Sequence, residues 1–76
     1  MTRQILIIED DKKLNDGIML ALKSEEYRFE QCRLLSDARR LLKEMTPSLI
    51  LLDVNLPDGN GIDFLREIRQ KSQVPV

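Results

Sequence analysis

The residues best placed to do chemistry are the carboxylates that close two apolar runs. Leu49-Ile50-Leu51-Leu52 leads straight into Asp53, and Ile5-Leu6-Ile7-Ile8 ends in Glu9-Asp10-Asp11. Short apolar runs bounded by turn residues read as strands buried on both faces, as in a parallel sheet. A carboxylate where such a strand emerges lies at the carboxyl edge, where open α/β sheets bind ligands. If the two strands are neighbours, Glu9, Asp10 and Asp53 converge, and each raises the pKa of the others unless something compensates. A hard divalent cation removes the conflict. An oxygen-only ligand set suits Mg²⁺ or Mn²⁺ rather than zinc. Beside such an ion, a carboxylate oxygen can attack a phosphoryl group and form an acyl phosphate. Positioning and charge neutralisation dominate that transfer.

Composition narrows the alternatives. The 76 residues make one small domain, and a chain of this size buries only about 60% of its unfolded surface. Twelve basic and 13 acidic residues leave a net charge of -1, which gives this segment no electrostatic case for nucleic acid or a membrane surface. The absence of histidine excludes a Ser-His-Asp triad, a histidine base and a histidine-containing zinc site. The single cysteine, Cys32, cannot form an internal disulfide and suits a reducing compartment. Neither long apolar run reaches membrane-spanning length and the N-terminus has no signal-peptide core, so the expected location is the cytoplasm.

The elements that must hold the acids follow in order. The first strand, Gln4 to Ile8, is followed by a helix that Asp11 can cap. Leu14, Ile18, Ala21 and Leu22 lie along one face of that helix, and Gly17 within it costs roughly 1 kcal/mol relative to alanine. Lys12 and Lys13 in its first turn read as a solvated face. Tyr27 to Arg33 is short and charged, an edge strand with Phe29 and Cys32 facing inward and Tyr27 at the rim. Ser36 is the expected cap of a second helix, with the stripe Ala38, Leu41, Leu42 and Met45 as its core face and Thr46-Pro47 as its stop. After the Asp53 turn, a third helix opens near Asn60 or Gly61, with Ile62, Phe64, Leu65 and Ile68 inward and Glu67 spaced to pair with Lys71. Val74-Pro75-Val76 reads as the opening of another strand. Alternation of this kind predicts an α/β fold, a parallel sheet with helices on both faces.

On these residues the chain resembles the N-terminal part of a response-regulator receiver domain, the phospho-accepting module of two-component signalling. An acidic pair follows the hydrophobic first strand, and a D-x-x-x-P-x-x-x-G segment runs from Asp53 through Pro57 to Gly61. The resemblance covers essentially the whole chain. It implies a doubly wound, flavodoxin-like sheet of strand order 2-1-3-4-5. Only the first three strands and the start of the fourth fall within residues 1–76, so the domain is expected to be incomplete and any effector domain to lie elsewhere. The resemblance further implies that Asp53 is the phospho-acceptor, that Asp10 ligates Mg²⁺ directly and Glu9 through water, and that Asn55 contributes its backbone carbonyl. The phosphoryl donor is then a sensor histidine kinase, which supplies the histidine this chain lacks, and the output is transcription through a DNA-binding effector domain. The family's Ser or Thr after its fourth strand and Lys after its fifth fall beyond Val76.

Three other functions compete. A phosphohydrolase with an aspartate nucleophile wants a second aspartate two residues on, where this chain has Asn55. A calcium loop beginning at Asp53 needs glycine at position six and glutamate at position twelve, and finds Asp58 and Phe64. A receiver-like interaction module, self-associating through an unfinished sheet without being phosphorylated, remains compatible with the sequence.

Overall fold

The most apolar stretch of the chain becomes the centre of the sheet. In the computed structural model, which describes residues 2–76, β1 (Arg3–Ile8) pairs in parallel with β2 (Tyr27–Cys32) on one side and β3 (Leu49–Leu52) on the other, giving the order β2-β1-β3. Ile5 through Ile8 are all buried, as the middle strand of a covered sheet requires. β3 is more open than expected: Ile50 alone is fully buried, while Leu49, Leu51 and Leu52 are half-buried. The backbone N–H of Ile50 donates to the Pro75 carbonyl at 2.9 Å, so residues 74–76 run beside β3 without forming a strand.

Side chains alternate across the sheet. Leu6 and Ile8 join Cys32, Ile50, Leu35 and Ala38 of α2 (Leu35–Glu44), and Phe64 and Ile68 of α3 (Gly61–Arg69), in one core cluster. Ile5 and Ile7 face the opposite side, where α1 (Lys12–Leu22) lies. Burying each of these leucines and isoleucines stabilises the fold by about 2 kcal/mol before chain entropy is counted. Between β3 and α3 the chain forms a tight hairpin, β4 (Asn55–Leu56) against β5 (Gly59–Asn60), with Pro57 and Asp58 at its tip. The sequence indicated a turn here but not its pairing.

The helix starts are built in three ways. Asp11 caps α1 as expected, accepting from the Leu14 N–H at 3.1 Å. Asn60 caps α3, its side-chain oxygen accepting from Ile62 and Asp63 at 2.7 and 3.2 Å. Ser36 does not cap α2: the cap position is Leu34, which has no side-chain oxygen to offer. The Asp58 carboxylate, reaching over from the hairpin, accepts from the Leu35 and Ser36 N–H groups at 2.9 and 3.0 Å. Those two bonds hold its carboxyl below the ordinary aspartate range.

Two packing expectations are corrected. In α1 the fully buried position is Asn15, whereas Leu14, Ala21 and Leu22 are exposed and Ile18 is half-buried. Hydrogen bonds from Asn15 to the Glu9 and Cys32 carbonyls set the rotation of the helix and turn the leucines outward. In α3, Glu67 pairs not with Lys71 but across to Arg39 of α2, through two bonds of 2.8 and 3.2 Å. The fork of a guanidinium matches both carboxylate oxygens where a lysine matches one. The same guanidinium lies 5.3 Å from the centroid of the Phe64 ring. Ile62, expected inward, is exposed.

Candidate metal centre

β1 and β3 are neighbours, so the residues that follow them meet. Ladder hydrogen bonds continue past the strands: the Asp53 N–H donates to the Ile8 carbonyl at 3.0 Å, and the Glu9 N–H to the Cys32 carbonyl at 3.1 Å. These bonds fix the backbone from which Glu9, Asp10 and Asp53 project. One carboxylate oxygen from each of the three lies within 4.8 Å of the others, and all three side chains are half-buried. The convergence expected from sequence is present in the structure.

The electrostatics follow from that proximity. The Glu9 carboxyl is raised above its ordinary range, first by burial and then by the negative charges of Asp53 and Asp10, against a lowering bond from the Asp11 N–H at 3.2 Å. Three converging carboxylates that offer only oxygen donors, with Glu9 raised by its burial and its neighbours, have the chemistry of a hard divalent cation site. Asn55 follows on β4 and is exposed, and its backbone N–H faces the Asp53 carboxylate at 3.4 Å. Lys12 does not lean into the cluster but pairs with Asp16 at 2.7 Å on the solvent side of α1.

The turn after Asp53 is held from below by Gly61. Its N–H donates to the Val54 carbonyl at 2.7 Å. A Cβ at position 61 would overlap the Asp53 carbonyl oxygen and lie 3.0 Å from both the Asp53 carbonyl carbon and the Val54 Cα. Only glycine lets the start of α3 approach the acid so closely. An open groove reaches Asp10 from the other side, lined by Arg33, Asp37, Arg40 and Pro57, with the Arg33 Nε donating to the Asp10 carbonyl at 3.0 Å.

Sequence reasoning missed two residues that shape this region, Asn15 and Asp58. Both act through hydrogen bonds to backbone outside their own element, Asn15 on Glu9 and Cys32 and Asp58 on Leu35 and Ser36, and such bonds leave no periodic or spacing signal. The residue types alone pointed to them: an amide on an apolar helix face and an acid at a hairpin tip.

A parallel β-α sheet of order 2-1-3 with three carboxylates at its carboxyl edge defines a flavodoxin-like α/β protein of the receiver type. The chain belongs to the response regulator receiver domain family, whose model matches residues 5–76. It is 42% identical over 74 residues to the KDP operon transcriptional regulatory protein KdpE of Escherichia coli (strain K12), covering 95% of this chain and 32% of that protein. Among solved structures, it is similar to the MaeR response regulator bound to beryllium trifluoride (35% identity, TM-score 0.80, 99% of this chain and 62% of that one). It is also similar to the non-phosphorylated HemR receiver domain from Leptospira biflexa (32% identity, TM-score 0.83, 97% and 60%). The chain thus spans about a third of its curated relative and under two thirds of these structures. No helix among the described residues is long and apolar enough to cross a membrane.

Proposed function

We propose that Asp53 accepts a phosphoryl group from a sensor histidine kinase, in a Mg²⁺-dependent reaction, and that residues 1–76 act as the acid-bearing, N-terminal part of a receiver domain. The observation that carries this reading is the approach of the Glu9, Asp10 and Asp53 oxygens to within 4.8 Å of one another at the ends of paired strands. Glu9, Asp10 and Asp53, with the Asn55 backbone carbonyl, would hold Mg²⁺, which when bound offsets the negative charge of both the acids and the phosphoryl oxygens.

The chain's own part in the transfer is to present a nucleophile. Asp53 is anchored through its N–H to Ile8 and backed by Gly61, so its carboxylate is held at the open edge of the sheet. One of its oxygens forms the new O–P bond as the P–N bond to the donor's imidazole breaks, and the bonding pair leaves with the imidazole nitrogen. The product is an acyl phosphate on Asp53. A phosphohydrolase of the haloacid-dehalogenase type, built on an aspartate nucleophile, uses a second aspartate two residues on as general acid, and Asn55 offers none. The chain is therefore a phosphoryl acceptor rather than an enzyme of steady turnover.

The output we propose for the whole protein is control of transcription in the cytoplasm, through a DNA-binding effector domain outside residues 1–76. It is supported by the likeness to a transcriptional regulatory protein. A second reading, self-association without phosphorylation, is favoured by Leu14, Leu20 and Leu22, which are 51%, 64% and 39% exposed along α1. Incubation with a small acyl-phosphate donor and Mg²⁺, followed by intact mass measurement, separates the two. The acceptor reading expects one added phosphoryl group, lost in Asp53→Asn and on chelation of Mg²⁺. Self-association with no labelled species would favour the second reading.

A further inference from the structure

Asn15 is the only buried polar side chain among the described residues, at 3% exposure, and it lies beside the segment that carries Glu9 and Asp10. Its amide NH₂ donates to the Glu9 carbonyl at 2.9 Å and to the Cys32 carbonyl at 3.1 Å. Its Oδ1 accepts from the Gln31 side chain at 2.8 Å, and Gln31 also reaches Asp16 at 3.1 Å. The Cys32 carbonyl meanwhile accepts from the Glu9 N–H at 3.1 Å. One amide on α1 therefore bridges the last carbonyl of β2 and the carbonyl of the first residue past β1, at the point where the chain turns out of β1 into Glu9-Asp10.

The arrangement is costly unless it is complete. A buried amide with a missing partner carries an uncompensated desolvation cost, whereas an aliphatic side chain there would cost nothing of that kind. A leucine at position 15 would extend the apolar face that the rest of α1 advertises. The amide instead gives up apolar burial for a fixed direction of the Glu9 carbonyl, and hence of the peptide that carries Asp10. Neighbouring bonds act on the same segment: Arg33 holds the Asp10 carbonyl, and Asp11 is bound back to the Glu9 carboxylate.

We propose that Asn15 is a positioning residue for the acidic site: by clamping the Glu9 and Cys32 carbonyls it sets the geometry in which Glu9 and Asp10 meet Asp53. This rests on the cation-site reading of the acidic cluster. Asn15 touches none of the three carboxylates, so its effect passes through backbone. Groups outside a metal's ligand set that orient the ligands are typically worth about 10–100-fold in affinity.

The test is Mg²⁺ affinity and backbone protection in the intact protein with Asn15→Ala, Asn15→Leu and Gln31→Ala. Asn15→Leu fills the volume and guards against a variant that simply fails to fold. In either Asn15 variant the Mg²⁺ Kd of the folded molecules should rise about tenfold. Gln31→Ala, which leaves both clamping bonds in place, should stay within about twofold. Without metal, amide exchange should accelerate at Glu9 in the Asn15 variants while the Asp53 amide, held by Ile8, stays protected. A purely structural Asn15 would lower the melting temperature but leave both the Kd and the Glu9 protection unchanged, and that result overturns the proposal. If the wild type binds no Mg²⁺, the cation-site reading fails. The Glu9 amide then decides the clamp alone, with unchanged protection refuting it.

Discussion

Replacing Gly61 with alanine is the sharpest perturbation this structure offers, because the added methyl has nowhere to go. The new Cβ would overlap the Asp53 carbonyl oxygen and stand 3.0 Å from two further backbone atoms of residues 53 and 54. Those neighbours are main chain, tied by the Asp53 bond to Ile8 and the Gly61 bond to Val54, so no side-chain rotation relieves the contact. Overpacking of this kind costs about 1–3 kcal/mol, and a backbone obstacle places Gly61→Ala near 3. For a chain of this size the melting temperature should fall by roughly 12–24 °C. Gly17 provides the internal control: a Cβ there meets nothing within 4 Å. Gly17→Ala in the middle of α1 should therefore gain up to about 1 kcal/mol from helix propensity. Urea titrations of both variants, compared at equal m, measure the two effects with opposite signs. A Gly61→Ala protein within about 0.5 kcal/mol of wild type would refute the claim that the Asp53 turn is backed by bare backbone.

Three other outcomes follow from charge and burial. Asp58 has a folded pKa below its unfolded one because it caps α2, so its stabilisation is present above about pH 4 and is lost as the pH falls through the folded value. Acid titration of Asp58→Asn should accordingly show a stability gap from wild type at neutral pH that closes below that range. Burial pushes the Cys32 thiol up to about 11, so its reaction with a disulfide reagent at pH 8 should be slow in the folded protein and fast in urea. Equal rates in the two conditions would contradict the packing described. In Mg²⁺-free buffer, Asp53→Asn should stabilise the protein by about 1 kcal/mol through relief of carboxylate repulsion at the distances found. Added Mg²⁺ should stabilise the wild type and leave that variant unchanged, as thermal melts at rising Mg²⁺ would show.

What was legible in the sequence was whatever repeats locally. Two four-residue aliphatic runs announced β1 and β3, acids at their ends announced the site, and Asp11 announced the start of α1. The parallel sheet followed from alternation and the strand order from the receiver resemblance, and the structure bears out the 2-1-3 part of that order. Three of the exceptions were tertiary hydrogen bonds. Asn15 rotates α1 through the Glu9 and Cys32 carbonyls, Asp58 caps a helix that begins 23 positions earlier, and Glu67 chooses a guanidinium 28 residues away over Lys71, which lies past the end of α3. In each case a tertiary hydrogen bond overrode a local preference, and no pattern within one element encodes such a bond. Phe64 and Ile68 were read correctly as core because they share the helical period, whereas Ile62, two residues before Phe64, falls on another side of the helix and is exposed.

The most direct test of the central claim is to locate the phosphoryl group. The protein would be treated with an acyl-phosphate donor and Mg²⁺, reduced with borohydride, digested and sequenced by mass spectrometry. An acyl phosphate on Asp53 is converted to homoserine at that position, and the account predicts homoserine at 53 alone. Homoserine at Asp10 or another acid, or none at all despite bound Mg²⁺, would contradict it.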